Sequence, residues 1–236
     1  MKKFNFKKIV TMGLAAIMAV SAMSMSAFAA ESSDVYNVDN AVPTSELITF
    51  DENGNPILPE GWLTEDEMKE IYDFDITVYT GEDAAKAKSD LESRPALSKT
   101  RAILTDDYTT STTEMFNNKD QNLLNYTNIT LNFKSTGGTP LYSKYYMSGT
   151  GASTLGYFVE STDSSTKKAT MYLVGEVTKN GTTNTGIIAT LSVPTGGNST
   201  AMTMDISNMS VRAYSSIVNS NASSVVKTGS SVFYAR

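Results

Sequence analysis

The chain has 236 residues, 19 basic against 25 acidic, a net charge of −6, and neither cysteine nor histidine. The missing side chains exclude disulfide bridges, Ser-His-Asp and Cys-His catalysis, histidine zinc sites and histidine-ligated haem. The acidic surplus argues against nucleic acid and anionic membrane as partners, because the long-range field repels polyanions.

Lys2, Lys3, Lys7 and Lys8 precede an apolar run over residues 9–20, and Ala27-Phe28-Ala29 follows. A positive start, a short apolar middle and small residues at the exit predict a signal peptide over residues 1–29, cut after Ala29. A membrane-spanning helix needs about 20 apolar residues; this run is shorter and dissolves into Ser and Met. Loss of the leader takes four lysines and no acid, leaving 15 basic and 25 acidic residues. With no lipobox cysteine, no wall-sorting motif and no second hydrophobic span, the expectation is a freely secreted, extracellular bacterial protein without a transmembrane anchor.

Residues 30–47 are polar and without period, an expected disordered stretch. Residues 48–100 form an acidic segment. Residues 31–100 carry 17 acids and 5 bases, against 8 acids and 10 bases over 101–236. Ile48-Thr49-Phe50 and Ile57-Leu58 flank Asp51-Glu52-Asn53-Gly54-Asn55-Pro56, whose Asn-Gly suits a tight hairpin. Asp51, Asn53 and Asn55 have the spacing of the first three ligands of an EF-hand loop. Pro56 replaces its turn glycine and Trp62 its bidentate glutamate, so a plain turn without metal is predicted. Thr64-Glu65-Asp66-Glu67 is a capping box, with Leu63 placed to staple onto Met68. Phe74, Ile76 and Val78 alternate with Asp75, Thr77 and Tyr79 as a short strand. Residues 82–92 have helical composition with a thin apolar face of Ala84, Ala87 and Leu91.

Arg94, Lys99 and Arg101 stand at the boundary between the acidic segment and the near-neutral remainder. A trypsin-like cut after Arg101 would release the later domain; the alternative is an uncut surface linker.

Residues 101–236 read as an antiparallel β domain. A short helix is expected over 113–124. Ile129, Leu131 and Phe133 then alternate with polar neighbours. Met171, Leu173 and Val177 share one face, opposite Tyr172, Val174 and Glu176. Thr178-Lys179-Asn180-Gly181 turns the chain. Ile187, Ala189, Leu191 and Val193 form an apolar face opposite Ile188, Thr190 and Ser192, and Met202, Met204 and Ile206 another. Two more strands are expected over 210–218 and 225–234. The fold class predicted is mainly β: a C-terminal antiparallel β-sandwich, or a barrel-like variant, preceded by a small acidic α/β or partly disordered segment. One polar face per strand predicts sheets wetted on one side.

Tyr142, Tyr145, Tyr146 and Tyr157 crowd one region and are the candidate ligand-binding residues, because exposed rings stack on sugars and offer a hydroxyl. Tyr145 and Tyr146 are adjacent and must face opposite sides of a strand. Glu160 and Glu176 are the nearest approach to the facing carboxylates of a glycoside hydrolase; alternation turns Glu176 and Asp205 outward instead. The stretch 182–211 contains two amphipathic Ser/Thr-rich strands of the kind a membrane-inserting hairpin uses. Gly137-Gly138 and Gly196-Gly197 are turns, since neither opens a helix as a phosphate loop does. No acid/base set emerges, so no catalytic residue, metal ligand or cofactor is assigned. The function expected is a non-catalytic binding or surface-interaction module for a glycan or a surface protein. The alternatives are a membrane-active protein released from an acidic pro-segment and a carboxylate-dependent glycan hydrolase. Oligomeric state is not legible at this level.

Overall fold

A computed structural model describes residues 47–95, 102–110, 121–136, 139–149, 151–162, 169–193, 196, 198–219 and 226–236. All belong to one unit, Asp39–Arg236. The predicted signal peptide with Ala29, the stretch 30–46 and Arg101 lie outside the described residues.

The acidic segment folds as its local chemistry directs. Strands β1 (Thr49–Phe50) and β2 (Pro56–Ile57) pair antiparallel around the 51–55 turn. Asp51 Oδ1 closes that turn by accepting the N–H groups of Asn53 and Asn55, each at 2.8 Å. Its carboxylate is occupied by its own loop, as a plain turn requires. Helix α1 (Glu65–Tyr72) starts on the predicted capping box: Glu67 N–H donates to Thr64 Oγ1, and Thr64 N–H donates to Glu67 Oε2 at 2.9 Å. Strand β3 (Ile76–Thr80) runs directly into helix α2 (Gly81–Ser93).

The remaining strands are β4 (Ala102–Asp107), β5 (Gln121–Asn122), β6 (Tyr126–Thr136), β7 (Leu141–Tyr142), β8 (Met147–Ser148), β9 (Thr154–Ser161), β10 (Ala169–Lys179), β11 (Thr182–Val193), β12 (Ser199–Asp205), β13 (Ser210–Asn219) and β14 (Val226–Ala235). The helix expected over 113–124 falls outside the described residues as far as 120; its last part is a 3-10 turn, Leu123–Asn125.

Two six-stranded sheets result. The first has the order β11-β10-β13-β8-β5, with β7 also on β13; the second runs β3-β12-β9-β14-β6-β4. The chain is mainly β, as the alternation predicted. Pairing is antiparallel except for β4 on β6 and β5 on β8. Parallel neighbours need a long crossover, which the connection between Asp107 and Tyr126 provides for β4. Strand β3 pairs with β12, Val78 opposite Met202, so the acidic segment and the later strands share one sheet.

The sheets face each other across a core that joins Met171, Leu173 and Leu191 of the first to Ile129, Tyr157 and Phe233 of the second. Met68 and Tyr72 of α1 enter the same core. Tyr72 OH donates to Val177 O at 2.7 Å.

The prediction that each sheet is wetted on one side holds at Asn132 and Lys134 of β6 and at Thr190 and Ser192 of β11, which are exposed, and is corrected elsewhere. The outer face of the first sheet carries a second core, in which Leu47, Ile48 and Phe50 cover Tyr172, Val174 and Tyr214. The outer face of the second carries a third, in which Ala84 and Leu91 of α2 cover Phe158, Ala201 and Tyr234. Alternation at Phe158 or Tyr172 cannot disclose this, because the cover comes from distant chain. A related correction concerns β11. Leu173 pairs with Ala189 and Val174 with Ile187, so Ile188 is an extra, bulged residue. Ile187 therefore joins the outer core while Ile188, Ala189, Leu191 and Val193 face inward.

Candidate functional site

Strands β7 and β8 of the first sheet are two residues long, while β6 and β14 opposite them have 11 and 10. A cleft of about 570 Å³ opens there, lined among others by Asp107, Tyr108, Asn132, Phe133, Lys134 and Ser230. Gly229 belongs to the same wall. A Cβ on it would lie 2.0 Å from Glu160 O and 2.7 Å from Phe133 Cζ, so only glycine admits the Phe133 ring there.

Tyr108 links the cleft to the interior. Its N–H donates to Asn132 O at 2.9 Å, continuing β4 by one residue. Its hydroxyl lies 2.5 Å from Ser215 Oγ of the first sheet, 2.9 Å from Ser231 Oγ of the second and 3.4 Å from Tyr157 OH. Tyr157 OH in turn donates to Met171 Sδ. Burial pushes both tyrosine pKa values up, Tyr157 the further, with the adjacent Tyr108 adding to it. These hydroxyls stay neutral and hold the wall of the cleft in place.

Just before the cleft-lining Asp107, Asp106 ties β4 to the 143–146 turn. Its carboxylate accepts Lys144 Nζ at 3.1 Å, Asp107 N–H at 2.7 Å and Tyr145 OH. Burial pushes the Asp106 carboxyl up, but the hydrogen bonds from Tyr145, Asp107 and Lys144 outweigh it, and the group sits below its ordinary value.

The cleft offers one carboxylate, one ammonium, an amide and hydroxyls, with the Tyr108 and Phe133 rings buried beneath them. Such a set orients a polar ligand through hydrogen bonds. Acid/base cleavage of a glycoside needs a second carboxyl group across the ligand, and Asp107 is the one carboxylate among the described lining residues. A second groove of about 360 Å³ runs between α2 and the second sheet, with Asp75, Asp90, Arg94 and Asp205 along it. No three acidic side chains among the described residues converge on a point that would hold a metal ion.

The tyrosines singled out by sequence are dispersed. Tyr157 is 0 % exposed in the central core, Tyr145 5 % exposed beside Asp106, and Tyr142 7 % exposed with its hydroxyl donating to Ile48 O at 2.9 Å. Tyr146 is half-buried, edge-on to Tyr214 and 3.7 Å beneath the Arg212 guanidinium. Tyr145 and Tyr146 do face opposite cores. The shared exposed face expected of the four is not formed, because each ring is covered and three of the hydroxyls find partners inside. Glu160 pairs with Lys88 at 3.0 Å, and Glu176 lies 3.7 Å from Arg212. These carboxylates sit on different sheets and are not brought together. Nor do the two Ser/Thr-rich strands form a hairpin: β11 is an edge of the first sheet, whereas β12 lies between β3 and β9 in the second. Sequence reasoning missed Asp107, Tyr108, Asn132 and Phe133. The only signal was the aromatic following two acids at the end of a strand, which is too common to single out.

No protein-family model matches the chain, and no curated protein matches it. Among solved structures, it is similar to the Aeromonas hydrophila PliG, a periplasmic inhibitor of g-type lysozyme, at 10% identity and a TM-score of 0.20, over 57% of this chain and 98% of that one. It is also similar to the cupin domain of Schizosaccharomyces pombe Cnp3, at 19% identity and a TM-score of 0.11, over 37% and 53% of the two chains. Likenesses this slight carry no argument about what the protein does. Among the described residues no helix is long and apolar enough to cross a membrane.

Proposed function

We propose that this chain is an exported, non-catalytic binding module and that a glycan occupies the cleft beside Tyr108. The lining of that cleft is the observation that carries the reading. Asp107, Asn132, Lys134, Thr162 and Ser230 line that cleft with carboxylate, amide, ammonium and hydroxyl groups, a set that recognises the ring hydroxyls of a sugar. Its volume falls in the range of about 300–1,000 Å³ common for ligand sites. The leader motif before Ala29 supports export, and the excess of acid over base favours an uncharged polar ligand over a polyanion.

The test is a glycan array followed by calorimetry with the best hit. Asp107→Ala and Asn132→Ala should each weaken binding by about tenfold, the worth of roughly one well-made hydrogen bond, with melting unchanged. Absence of binding across the array, or affinity in both variants equal to that of the parent chain, ends this assignment. The intact mass of the protein recovered from culture medium checks export and reports any cut after Arg101.

A further inference from the structure

The segment 47–62 crosses the outer face of the first sheet, and its mode of attachment goes beyond the cleft and its ligand. Its two short strands pair with each other and with neither six-stranded sheet. Backbone pairing to the body begins at Leu63, whose N–H donates to Thr185 O at 2.9 Å and whose carbonyl accepts Ile187 N–H at 3.0 Å. Upstream of it, among the described residues, one peptide position anchors the main chain. Ile48 N–H donates to Tyr214 OH at 3.1 Å, and Tyr142 OH donates to Ile48 O at 2.9 Å. The remaining contacts are apolar, with Ile48, Phe50 and Trp62 against Tyr172, Val174 and Ile187.

Two hydroxyls that grip the N–H and C=O of one residue recognise main chain rather than a particular side chain. The face beneath is thus a groove for an extended apolar peptide, whichever chain supplies it. Leaving the groove breaks no sheet ladder. Gly61, two residues before the Leu63 anchor, has φ +82° and open space where a Cβ would stand, so a hinge can open there without disturbing packing. We propose that the second occupant of this groove is the same segment from another copy of the chain: two copies exchange residues 47–60 reciprocally and form a two-fold dimer. Every contact of the closed form recurs in the exchanged form. Hinge geometry and protein concentration set the balance between them.

Trp62 is the only tryptophan and packs against the same core as Phe50 and Leu58, so its emission reports whether a segment, its own or the partner's, covers that core. Deletion of Gly61 shortens the hinge and should give a dimer by light scattering, about tenfold or more tighter than any dimer of the parent chain. Trp62 emission should stay as blue as in the parent, and an excess of synthetic peptide 47–60 should return the dimer to monomer. A monomeric variant overturns the proposal in either case: with Trp62 buried, the segment still seats on its own chain, and with Trp62 in water, it has been lost without capturing a second copy. Should the deletion fail to fold, the parent chain decides. Held concentrated in urea just below its unfolding midpoint and then returned to buffer, it should yield a dimer that persists on dilution. A wholly monomeric product overturns the proposal.

Discussion

Tyr108 and Ser231 stand 123 residues apart in sequence, and their hydroxyls meet at 2.9 Å between the two sheets. Ser215 completes the contact from the opposite sheet. One side chain thereby fixes the spacing of both layers and forms a wall of the cleft. Tyr108→Phe keeps the ring and removes the bond, leaving two buried serines short of a partner. The expected cost is about 1–3 kcal/mol, which lowers the melting temperature by about 2–4 °C per kcal/mol in a domain of this size. Adding Ser231→Ala should then cost little more, since its partner is already gone. Thermal melts of the three variants check this; fully additive losses would show that the hydroxyls do not act together.

The buried tyrosines set an alkaline limit on the fold. Burial pushes Tyr142 up to about 12, and Tyr157 and Tyr214 well above their ordinary value near 10. A folded-state value above the unfolded one means the stabilisation is complete below pH 10 and is lost as pH rises toward 12. Tyrosinate absorbance should therefore rise in two stages. Exposed tyrosines titrate near 10, and the buried ones ionise only in step with loss of the far-ultraviolet circular dichroism of the sheets. If all 12 tyrosines titrated together while the sheets remained intact, the burial described here would be wrong.

Asp106 gives the acid counterpart. Its carboxyl is held below the ordinary value of 3.8, so its contribution is complete above that pH and is lost as pH falls through the lower folded value. Asp106→Asn should destabilise the protein by about 1 kcal/mol at neutral pH, the partial exposure of the pair trimming the effect. Urea titrations should show that difference constant down to about pH 4 and shrinking below it. A gap that widened in acid would reverse the sign of the argument.

Helix α2 rests on a glycine. A Cβ on Gly156 would lie 2.2 Å from Leu91 Cδ2 and 3.0 Å from Phe158 Cε2. Gly156→Ala should cost about 1–3 kcal/mol through overpacking, and Leu91→Ala about 2–5 kcal/mol through the space it empties. In the double variant the new methyl enters that space, so the combined loss should fall short of the sum by about 1 kcal/mol or more. Simple additivity by denaturant unfolding would place the helix elsewhere.

Local chemistry was legible in the chain. The Thr64 capping box, the Asp51 turn and the alternating strands need only neighbours within a few residues, and each forms where the sequence places it. The candidate site was not legible. Tyr142, Tyr145, Tyr146 and Tyr157 cluster in sequence, yet they separate into two cores, because Tyr142 on β7 and Tyr157 on β9 belong to different sheets and the 143–146 turn sends its two rings to opposite sides. Tyr108 and Phe133 meet, edge-on with centroids 6.1 Å apart, only because β4 pairs with β6.

By itself the sequence determined a mainly β chain without disulfide or imidazole chemistry, with a capped helix and a tight hairpin ahead of its long strands. Period and composition suffice for that, since they act through the nearest residues. Tertiary structure alone decided that part of each outer face is covered, that Ile188 bulges and turns Ile187 outward, and that Tyr108 joins two sheets. Each of these depends on which remote segment arrives over a given strand, and no local pattern records that arrival.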